Sequence, residues 1–231
     1  AAIDGAADKI RSLGFEAITA RCDITDAAEC EEAVEIAKKA FGGRIDILVN
    51  IAGGSGPIGK TGAETTADEF EDIISLNVGG CFHTIRAVAS TMIEQKFGKI
   101  INVGGTFGMR GRAGRMAYSS SKWGLRGVTK SFALELGPHN INVNYVAPGM
   151  VDGPRFRDKV CANMAKQLGI SIEEAAERHA DDYALKRITQ AADVANACLF
   201  FASDVSMLGL KSRINVILFF LHFKAKDLFS G

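Results

Sequence analysis

Residues 99–126, KIINVGGTFGMRGRAGRMAYSSSKWGLR, determine how the chain is organised. The segment begins with an apolar run, passes through a glycine-rich loop and enters a helical pattern that carries Tyr118 and Lys122. Two residues four apart on a helix share one face and lie roughly 6 Å apart along its axis. An ammonium beside a phenol favours the phenolate, so we expect the pKa of Tyr118 to lie below its usual value of about 10. Such a tyrosine could exchange a proton near neutral pH, although the Y-x-x-x-K pattern alone is a weak signal.

Composition and charge exclude several classes of protein. The 231 residues are 47% apolar and 23% charged, with a formal net charge of zero, which is typical of one globular domain. No block of like charge indicates a nucleic-acid surface or a membrane patch. We expect no transmembrane helix and no signal peptide, because no apolar run is long enough. The five cysteines follow no pairing pattern and the four histidines no metal-ligand spacing, so we expect a cytoplasmic protein without a metal site.

Apolar runs and helical patterns alternate along the chain. The strand candidates are residues 16–20, 45–49, 100–103 and 141–146, and the helical patterns cover 4–13, 26–41, 66–97, 117–136, 154–168, 171–186 and 191–202. Asp26 and Glu29, like Thr66 and Glu69, have the spacing of a capping box at a helix start. Strands that alternate with helices predict βαβ units and a parallel sheet.

One glycine motif matches a dinucleotide-binding fingerprint but lacks the helix that should follow it. Gly54, Gly56 and Gly59 match the G-x-G-x-x-G dinucleotide fingerprint and follow a strand candidate. A true fingerprint opens a helix at once, whereas Pro57 and polar residues follow here until Thr66. We therefore do not assign this loop to a pyrophosphate.

Several motifs in a fixed order point to one family. They are Asp23 in CDITD, Asn50 to Gly53 as N-I-A-G, Asn77 in SLNVGG, Tyr118 with Lys122, and Pro148-Gly149. In this order and spacing the chain resembles the short-chain dehydrogenase/reductase family over residues 1–204. The resemblance implies a Rossmann-like, doubly wound parallel sheet with helices on both faces. It also implies NAD or NADP as cofactor and hydride transfer between a secondary alcohol and a ketone or aldehyde.

The resemblance also implies roles for individual residues. Tyr118 would be the general acid and base, Lys122 would lower its pKa and hold the nicotinamide ribose, and Asn77 would bend its helix and anchor a water. The residues implied to border the cofactor are Asp23, Ile24, Asn50, Ala52, Gly53, Tyr118, Lys122, Pro148, Gly149 and Val151. The family usually forms homotetramers, so we expect a homotetramer or homodimer with helices 68–97 and 117–136 between subunits.

The chain departs from the family pattern at both ends. The family's first strand, its glycine-rich turn and its second strand have no counterpart before residue 16, so we expect a sheet lacking the first two strands of the order 3-2-1-4-5-6-7. We also expect that the sequence is part of a longer parent and that, as written, it binds dinucleotide poorly. Residues 205–231 form an atypical tail, whose apolar run at 214–223 is a candidate last strand.

A third departure lies beside the tyrosine. The family's catalytic serine precedes the tyrosine by thirteen residues, and here that position is Gly105. Losing this hydroxyl should cost about 3 kcal/mol of transition-state stabilisation. The adjacent Thr106 could supply a hydroxyl instead, and a loop residue turned away is an equally good interpretation. A non-catalytic dinucleotide-binding or interaction protein, or an inactive fragment, therefore remains the alternative function.

Five arginines flank the predicted catalytic residues. Arg110, Arg112 and Arg115 precede Tyr118, and Arg155 and Arg157 follow Pro148-Gly149. With Gly105, Arg110 and Arg155 are the candidate contacts to a small-molecule alcohol or ketone that carries a carboxylate or phosphate. From the sequence alone we favour the simpler interpretation, solvated loop charge.

Overall fold

A four-stranded parallel sheet forms the centre of the protein. The computed structural model describes residues 2–203, 206 and 216–219. The strands are β1 (Ile47–Asn50), β2 (Gly98–Val103), β3 (Ile141–Val146) and β4 (Val216–Phe219). Their order across the sheet is β3-β2-β1-β4, and every pairing is parallel. The predicted α/β class with a parallel sheet is confirmed.

Eight α-helices surround or follow the strands in the part of the chain that the structure describes. They are α1 (Ala2–Ser12), α2 (Ala27–Ala40), α3 (Ala67–Ile74), α4 (Gly80–Gln95), α5 (Met116–Leu136), α6 (Ala162–Leu168), α7 (Ile172–Asp181) and α8 (Ala191–Ala202). The predicted long helix over 66–97 is divided into α3 and α4 by a π-helical turn, Ser75–Gly79. A second π-helical turn, Phe156–Cys161, precedes α6, and α7 ends at Asp181, five residues before its predicted end.

Helices cover both faces of the sheet. On one face, Leu48 and Ile100 are buried in a cluster with residues of α2, α4 and α5. On the other face, Val49 and Ile101 pack with partly buried residues of α8. Neighbouring strand residues point to opposite faces, so β1 and β2 read as continuous apolar runs. This arrangement confirms the doubly wound architecture.

A chain of buried amides and hydroxyls joins the carboxyl ends of β1 and β2 to two helices. Asn50 and Asn102 stand opposite each other, and Asn50 Nδ2 donates to Asn102 Oδ1 at 2.9 Å. Thr84 Oγ1 of α4 donates to Asn50 Oδ1 at 2.9 Å, and Asn102 Nδ2 donates to Thr129 Oγ1 of α5 at 3.0 Å. Buried polar groups require such partners, so this chain fixes both strand ends against the helices.

The two predicted helix caps differ in completeness. Thr66 and Glu69 form the full reciprocal capping box at the start of α3. Asp26 caps α2 by accepting hydrogen bonds from the N–H groups of Ala28 and Glu29. The Glu29 carboxylate, however, accepts from the Asp23 N–H at 2.8 Å, which fixes the segment before the helix.

The strand predicted at 16–20 is wrong. These residues are irregular, and the side chains of Phe15 and Ile18 are exposed. A strand needs a neighbour for its N–H and C=O groups, and the described residues provide none beside this segment.

The tail contributes a strand at an unexpected position. Val216–Phe219 pairs with β1, on the side away from β2. In the expected order, β1 is the fourth strand and its outer neighbour would be the missing first strand. The tail segment therefore lies where the first strand was expected, whereas the family's last strand would lie beyond β3. The predicted boundary between residues 204 and 205 lies outside the described residues.

No helix in the described ranges is long and apolar enough to cross a bilayer.

The amide chain is testable by denaturation. Asn102→Leu should lower the free energy of unfolding by about 3 kcal/mol, because Asn50 and Thr129 each lose a buried partner. Urea denaturation measures this change. Asn142→Leu on β3 is the matched control, since Asn142 Oδ1 has no hydrogen-bond partner among the described residues. An equal loss in both variants would contradict a structural role for the amide chain.

Candidate active site

The predicted tyrosine and lysine lie together beside the carboxyl ends of the strands. Tyr118 is in the first turn of α5 and Lys122 in the next turn. Lys122 Nζ lies 5.7 Å from the centre of the Tyr118 ring. Ligands of open parallel sheets bind at the carboxyl ends of the strands, so this pair occupies the position where a ligand is expected.

Asn77 fastens the loop after β1 to α5. The Gly54 N–H donates to Asn77 Oδ1 at 2.8 Å, and Asn77 Nδ2 donates to Gly54 O at 3.1 Å. Asn77 Nδ2 also donates to Ser121 Oγ at 2.9 Å, between Tyr118 and Lys122 on α5. Asn77 lies in the π-helical turn between α3 and α4, and such turns often mark a functional position.

Gly53 leaves space that any other residue would fill. A Cβ at this position would lie 2.8 Å from Asn77 Oδ1 and 3.6 Å from Lys122 Nζ. The backbone of the loop after β1 can therefore lie directly against both side chains. A cofactor ribose that approached this loop would reach the lysine without crossing a side chain at position 53.

Lys122 is a buried cation. It is 5% exposed, and its Nζ makes no hydrogen bond or ion pair to any residue that the structure describes. Burial lowers the pKa of Lys122 to about 8, while the nearby Cys81 raises it and Arg155 lowers it. An ammonium held in a poorly solvated position is available to hydroxyl groups of a ligand.

The expected pKa shift of Tyr118 is wrong in direction. Burial raises the pKa of the Tyr118 phenol, and this is the largest cause. The guanidinium groups of Arg155 and Arg115 act in the opposite sense and lower the pKa, as does hydrogen bonding to Arg155. The tyrosine is therefore in its neutral, proton-donating form at neutral pH, and arginines provide the positive charge that was expected from Lys122.

Tyr145 explains the glycines of the loop after β2. A Cβ at Gly104 would lie 2.0 Å from Tyr145 Cζ, and one at Gly108 would lie 2.4 Å from Tyr145 Oη. The Gly105 N–H donates to Tyr145 Oη at 3.2 Å, and the hydroxyl lies 3.2 Å from the Gly105 carbonyl oxygen. The ring of Tyr145 thus occupies the space that side chains at 104 and 108 would need.

Position 105 faces the tyrosine hydroxyl. A Cβ at Gly105 would lie 3.3 Å from Tyr118 Oη. The φ of Gly105 is 167°, an extended conformation that any residue adopts. Thr106 begins a short 3-10 turn and donates its N–H to Pro148 O at 3.0 Å. Its Oγ1 makes no hydrogen bond to any described residue, so the hydroxyl is free to bond to a ligand.

Two residues predicted to border the cofactor belong to the core. The amide of Asn50 donates to Asn102 and accepts from Thr84, so both ends of its side chain are bonded inside the protein. Ala52 is buried in the cluster with α2 and α4. Their contribution to the site is the placement of Gly53, which follows them in the chain.

Asp23 and Ile24 lie at the far end of this edge. Asp23 Oδ1 accepts from the Thr25 N–H at 2.9 Å and from Thr25 Oγ1 at 2.7 Å, which closes a tight exposed turn. The Ile24 side chain is buried against Gly80, where a Cβ would lie 2.4 Å from Ile24 Cδ1. Only the backbone and the carboxylate of this segment therefore remain open to a nucleotide.

The loop after β3 carries the last group of predicted residues. Gly149 packs under Tyr183, since a Cβ would lie 2.6 Å from Tyr183 Cε1, and the Met150 N–H donates to Tyr183 Oη at 2.7 Å. Val151 forms a parallel bridge with Thr189. Pro148 contributes its carbonyl to the bond with Thr106. These contacts hold the loop against the glycine-rich loop after β2 and against Tyr183 and Thr189.

The five arginines separate into two groups. Arg157 Nε donates to Asp152 Oδ1 at 2.7 Å and its Nη2 donates to Oδ2 at 3.0 Å, so Arg157 is already paired. Arg110 lies over the ring of Phe107 and Arg115 over that of Tyr118. Arg155, which follows the loop after β3, lowers the pKa of Tyr118. Solvated loop charge does not describe Arg115, whose side chain is partly buried.

Three residues of the site carry no motif in the sequence: Ser121, Tyr145 and Tyr183. Ser121 lies within the Y-x-x-x-K stretch, and its Oγ donates to Tyr118 O at 2.8 Å while accepting from Asn77. Tyr145 follows Asn144 in β3 and interrupts an otherwise apolar and amide pattern. That interruption is the one sequence feature that could have indicated a role for Tyr145. In the described ranges no group of three or more metal-ligating side chains converges.

Comparisons with known proteins agree with this architecture. The family model for short chain dehydrogenase matches residues 1–164. Galactitol 2-dehydrogenase of Agrobacterium fabrum is 34% identical over 208 residues, which cover 89% of this chain and 79% of that protein.

Solved structures extend the match to the fold. NAD+-bound xylitol dehydrogenase superimposes with a TM-score of 0.80 at 26% identity, covering 92% of this chain and 81% of that chain. An actinorhodin polyketide ketoreductase variant with NADPH has a TM-score of 0.78 at 31% identity, covering 86% of this chain and 76% of that chain.

A Rossmann-like sheet with a tyrosine and a lysine one turn apart at its carboxyl edge defines a class of oxidoreductases. The chain belongs to the short-chain dehydrogenase family.

The buried cation provides a test of the site's electrostatics. The pKa of Lys122 is about 8 in the folded protein, against 10.5 for an ordinary lysine, so the unfolded chain binds more protons between these values. The free energy of unfolding should rise with pH through this window, by up to about 3 kcal/mol. In Lys122→Met this rise should be absent, and the variant should be more stable than the wild type at pH 7.

Urea denaturation from pH 7 to pH 10 checks this expectation. Burial also raises the pKa of Cys81 to about 11, while Lys122 lowers it, so removal of Lys122 raises the Cys81 pKa further. The thiol of the folded protein therefore stays protonated up to pH 10 in both proteins, and its contribution cancels in the difference. Equal pH dependence of the two proteins would contradict the burial of a charged Lys122.

Proposed function

We propose that the protein is an NAD- or NADP-dependent oxidoreductase that interconverts a secondary alcohol and a ketone or aldehyde. The observation that supports this most directly is the position of the buried Lys122 ammonium, 5.7 Å from the centre of the Tyr118 ring on one face of α5. The names of similar proteins support the same chemistry, since galactitol 2-dehydrogenase and xylitol dehydrogenase are named for alcohols.

The residues present fit the nicotinamide ribose of such a cofactor. Gly53 has no side chain to block Lys122 Nζ, and that ammonium has no described protein partner. We propose that Lys122 and Tyr118 hold the ribose, while Pro148, Gly149 and Val151 border the nicotinamide. Similar solved structures contain NAD+ in one case and NADPH in the other, so both cofactors remain within the proposal.

Asp23, Ile24, Asn50, Ala52 and Gly53 form the remainder of the proposed cofactor edge. Asp23 and the backbone at Ile24 would receive the adenine end. Asn50 and Ala52 act indirectly, because their side chains are held in the core. Gly53 has no side chain, so the cofactor can approach Lys122 directly at this position.

The cofactor, when bound, accepts or supplies a hydride at its nicotinamide ring. In ketone reduction the Tyr118 hydroxyl donates its proton to the substrate oxygen, and in alcohol oxidation the phenolate takes that proton back. The guanidinium groups of Arg115 and Arg155 stabilise the phenolate, and the Lys122 ammonium lies 5.7 Å from the ring centre. Asn77 maintains this geometry by binding Gly54 and Ser121, and we propose that a water at its turn completes the proton path.

The substrate oxygen needs a hydrogen-bond donor opposite Tyr118. Gly105 faces Tyr118 Oη but carries no hydroxyl, and a Cβ there would lie 3.3 Å from that oxygen. Thr106 Oγ1 is the neighbouring hydroxyl without a partner among the described residues, and we propose it as this donor. The missing hydroxyl at 105 is also the observation that favours the alternative function, a non-catalytic dinucleotide-binding or interaction protein.

We further propose a cytoplasmic homotetramer or homodimer. Phe82 of α4, with Trp123 and Leu134 of α5, presents large apolar side chains to solvent in the single chain. Exposed apolar surface on two adjacent long helices suits contact with a second copy.

The function is tested by removing the Tyr118 hydroxyl. Tyr118→Phe should lower turnover by about a thousandfold, because a positioned general acid contributes at this level. The assay follows the absorbance of reduced nicotinamide in the intact protein that carries this sequence, with a panel of ketones and secondary alcohols. The variant should bind reduced nicotinamide as the wild type does. Unchanged turnover in Tyr118→Phe, or no turnover in the wild type with either cofactor, would reject the proposal.

The empty position beside Tyr118 gives a second activity test. Gly105→Ser should raise kcat about tenfold, because the extended backbone accepts serine and the new hydroxyl lies next to Tyr118 Oη. Gly105→Ala is the matched control, since it adds the same Cβ without the hydroxyl and should not raise kcat.

Thr106→Ala completes this comparison. It should lower kcat about tenfold in the wild type and have less effect in the Gly105→Ser background, where a second donor is present. If Thr106→Ala leaves wild-type turnover unchanged, the donor role of Thr106 is rejected.

A further inference from the structure

Positive charge collects around Tyr118, and no carboxylate of the described residues pairs with it. Arg110 and Arg112 lie over the Phe107 ring, with Cζ at 5.8 Å and 5.7 Å from its centre. The Phe107 ring itself contacts Tyr118 edge to face, at a centroid distance of 6.1 Å. Within the described ranges, none of the arginines in the loop from 110 to 115 forms an ion pair.

Arg115 is the most constrained member of this group. Its Cζ lies 4.7 Å from the centre of the Tyr118 ring. Its Nε is buried and has no hydrogen-bond partner among the described residues. A buried guanidinium donor without an acceptor is costly, and a ligand anion would satisfy it.

Arg155 approaches Tyr118 from a different element. It follows the loop after β3, is exposed, and lowers the pKa of the Tyr118 hydroxyl by its charge and by hydrogen bonding. Arg157, two residues later, is held by Asp152, whereas the described residues offer no carboxylate to Arg155. The neighbouring helix α7 adds His179, whose Nε2 is also buried without a partner and which lies near Arg112.

We propose that Arg115 and Arg155 bind an anionic group of the substrate, a carboxylate or a phosphate, beside the reacting carbon. The inference rests on the proposed alcohol–ketone chemistry and names its substrate class: a hydroxy acid or oxo acid, or a phosphorylated alcohol. Two guanidinium groups on separate elements lie near Tyr118, that of Arg115 over the ring and that of Arg155 beside the hydroxyl. Guanidinium geometry matches the oxygens of both anions. The substrate anion thus supplies the acceptor that Arg115 Nε lacks.

The test compares substrates that differ only in charge. One pair is acetoacetate and methyl acetoacetate, and the other is a polyol phosphate and its parent polyol. The wild type should prefer the anion of at least one pair by about tenfold or more in kcat/KM. The pair that shows the preference distinguishes carboxylate from phosphate.

Variants of Arg155 and Arg115 test whether these side chains cause the preference for the anionic substrate. Arg155→Gln and Arg115→Gln should each reduce the ratio of kcat/KM values, anion to neutral, by about tenfold, mainly through KM for the anion. The ratio is the decisive quantity because both arginines also affect the pKa of Tyr118, an effect that both substrates share. Arg155→Lys should retain part of the ratio, since it keeps the charge.

A remote arginine serves as the control. Arg86 on α4 pairs with Glu31 at 3.0 Å on the surface, and Arg86→Gln should leave the ratio unchanged. If the wild type turns over neutral ketones as well as the anions, the inference is overturned while the proposed function stands. A raised KM for the cofactor with an unchanged substrate ratio would also overturn it, since the arginines would then serve a cofactor phosphate.

A binding measurement separates the two proposals if no substrate is turned over. Calorimetric titration of acetoacetate, and separately of the polyol phosphate, into the wild type and the two glutamine variants measures the anion site directly. Binding that both variants lose supports the anion site even where the proposed function has failed. Absence of binding to the wild type overturns the anion site.

Discussion

The hydrogen-bonded chain from Thr84 through Asn50 and Asn102 to Thr129 is the constraint on which the site depends. The chain crosses β1 and β2 at their carboxyl ends. Thr84 joins one end of it to α4, and Thr129 joins the other end to α5. In a parallel sheet the strands deliver loops to the same edge, so fixing two strand ends fixes the origins of two loops. A core of purely apolar residues would pack as tightly but would not specify this register as strictly.

From this edge the geometry of the candidate site follows in two steps. Asn77 transfers the position of the loop after β1 to α5, by binding Gly54 and Ser121 with one amide. Pro148 and Tyr145 position the glycine-rich loop against the same helix. Tyr118 and Lys122 therefore each face a glycine, Gly105 and Gly53, where no side chain prevents the close approach of a ligand. Burial then sets the protonation states, with a neutral tyrosine and a lysine of lowered pKa.

Local patterns predicted most of the elements and the central pair, because caps, helix faces and apolar runs depend on residues close in the sequence. The Thr66–Glu69 capping box and the shared face of Tyr118 and Lys122 are of this kind. What depended on through-space neighbours could not be predicted. Asn50 looked like a cofactor contact, yet Asn102, fifty-two residues away, binds its amide. Burial reversed the pKa shift of Tyr118, and the strand at 216–219 pairs where no motif indicated.

Tyr145 and the glycines beside it form a single steric unit. The ring lies where side chains at 104 and 108 would stand, so a larger residue at either position is compatible only with a smaller one at 145. These positions should change together or not at all when homologous sequences diverge. A library that randomises the loop while retaining Tyr145 would consequently recover glycine at 104 and 108, and new loop sequences would become accessible only after position 145 is reduced in size.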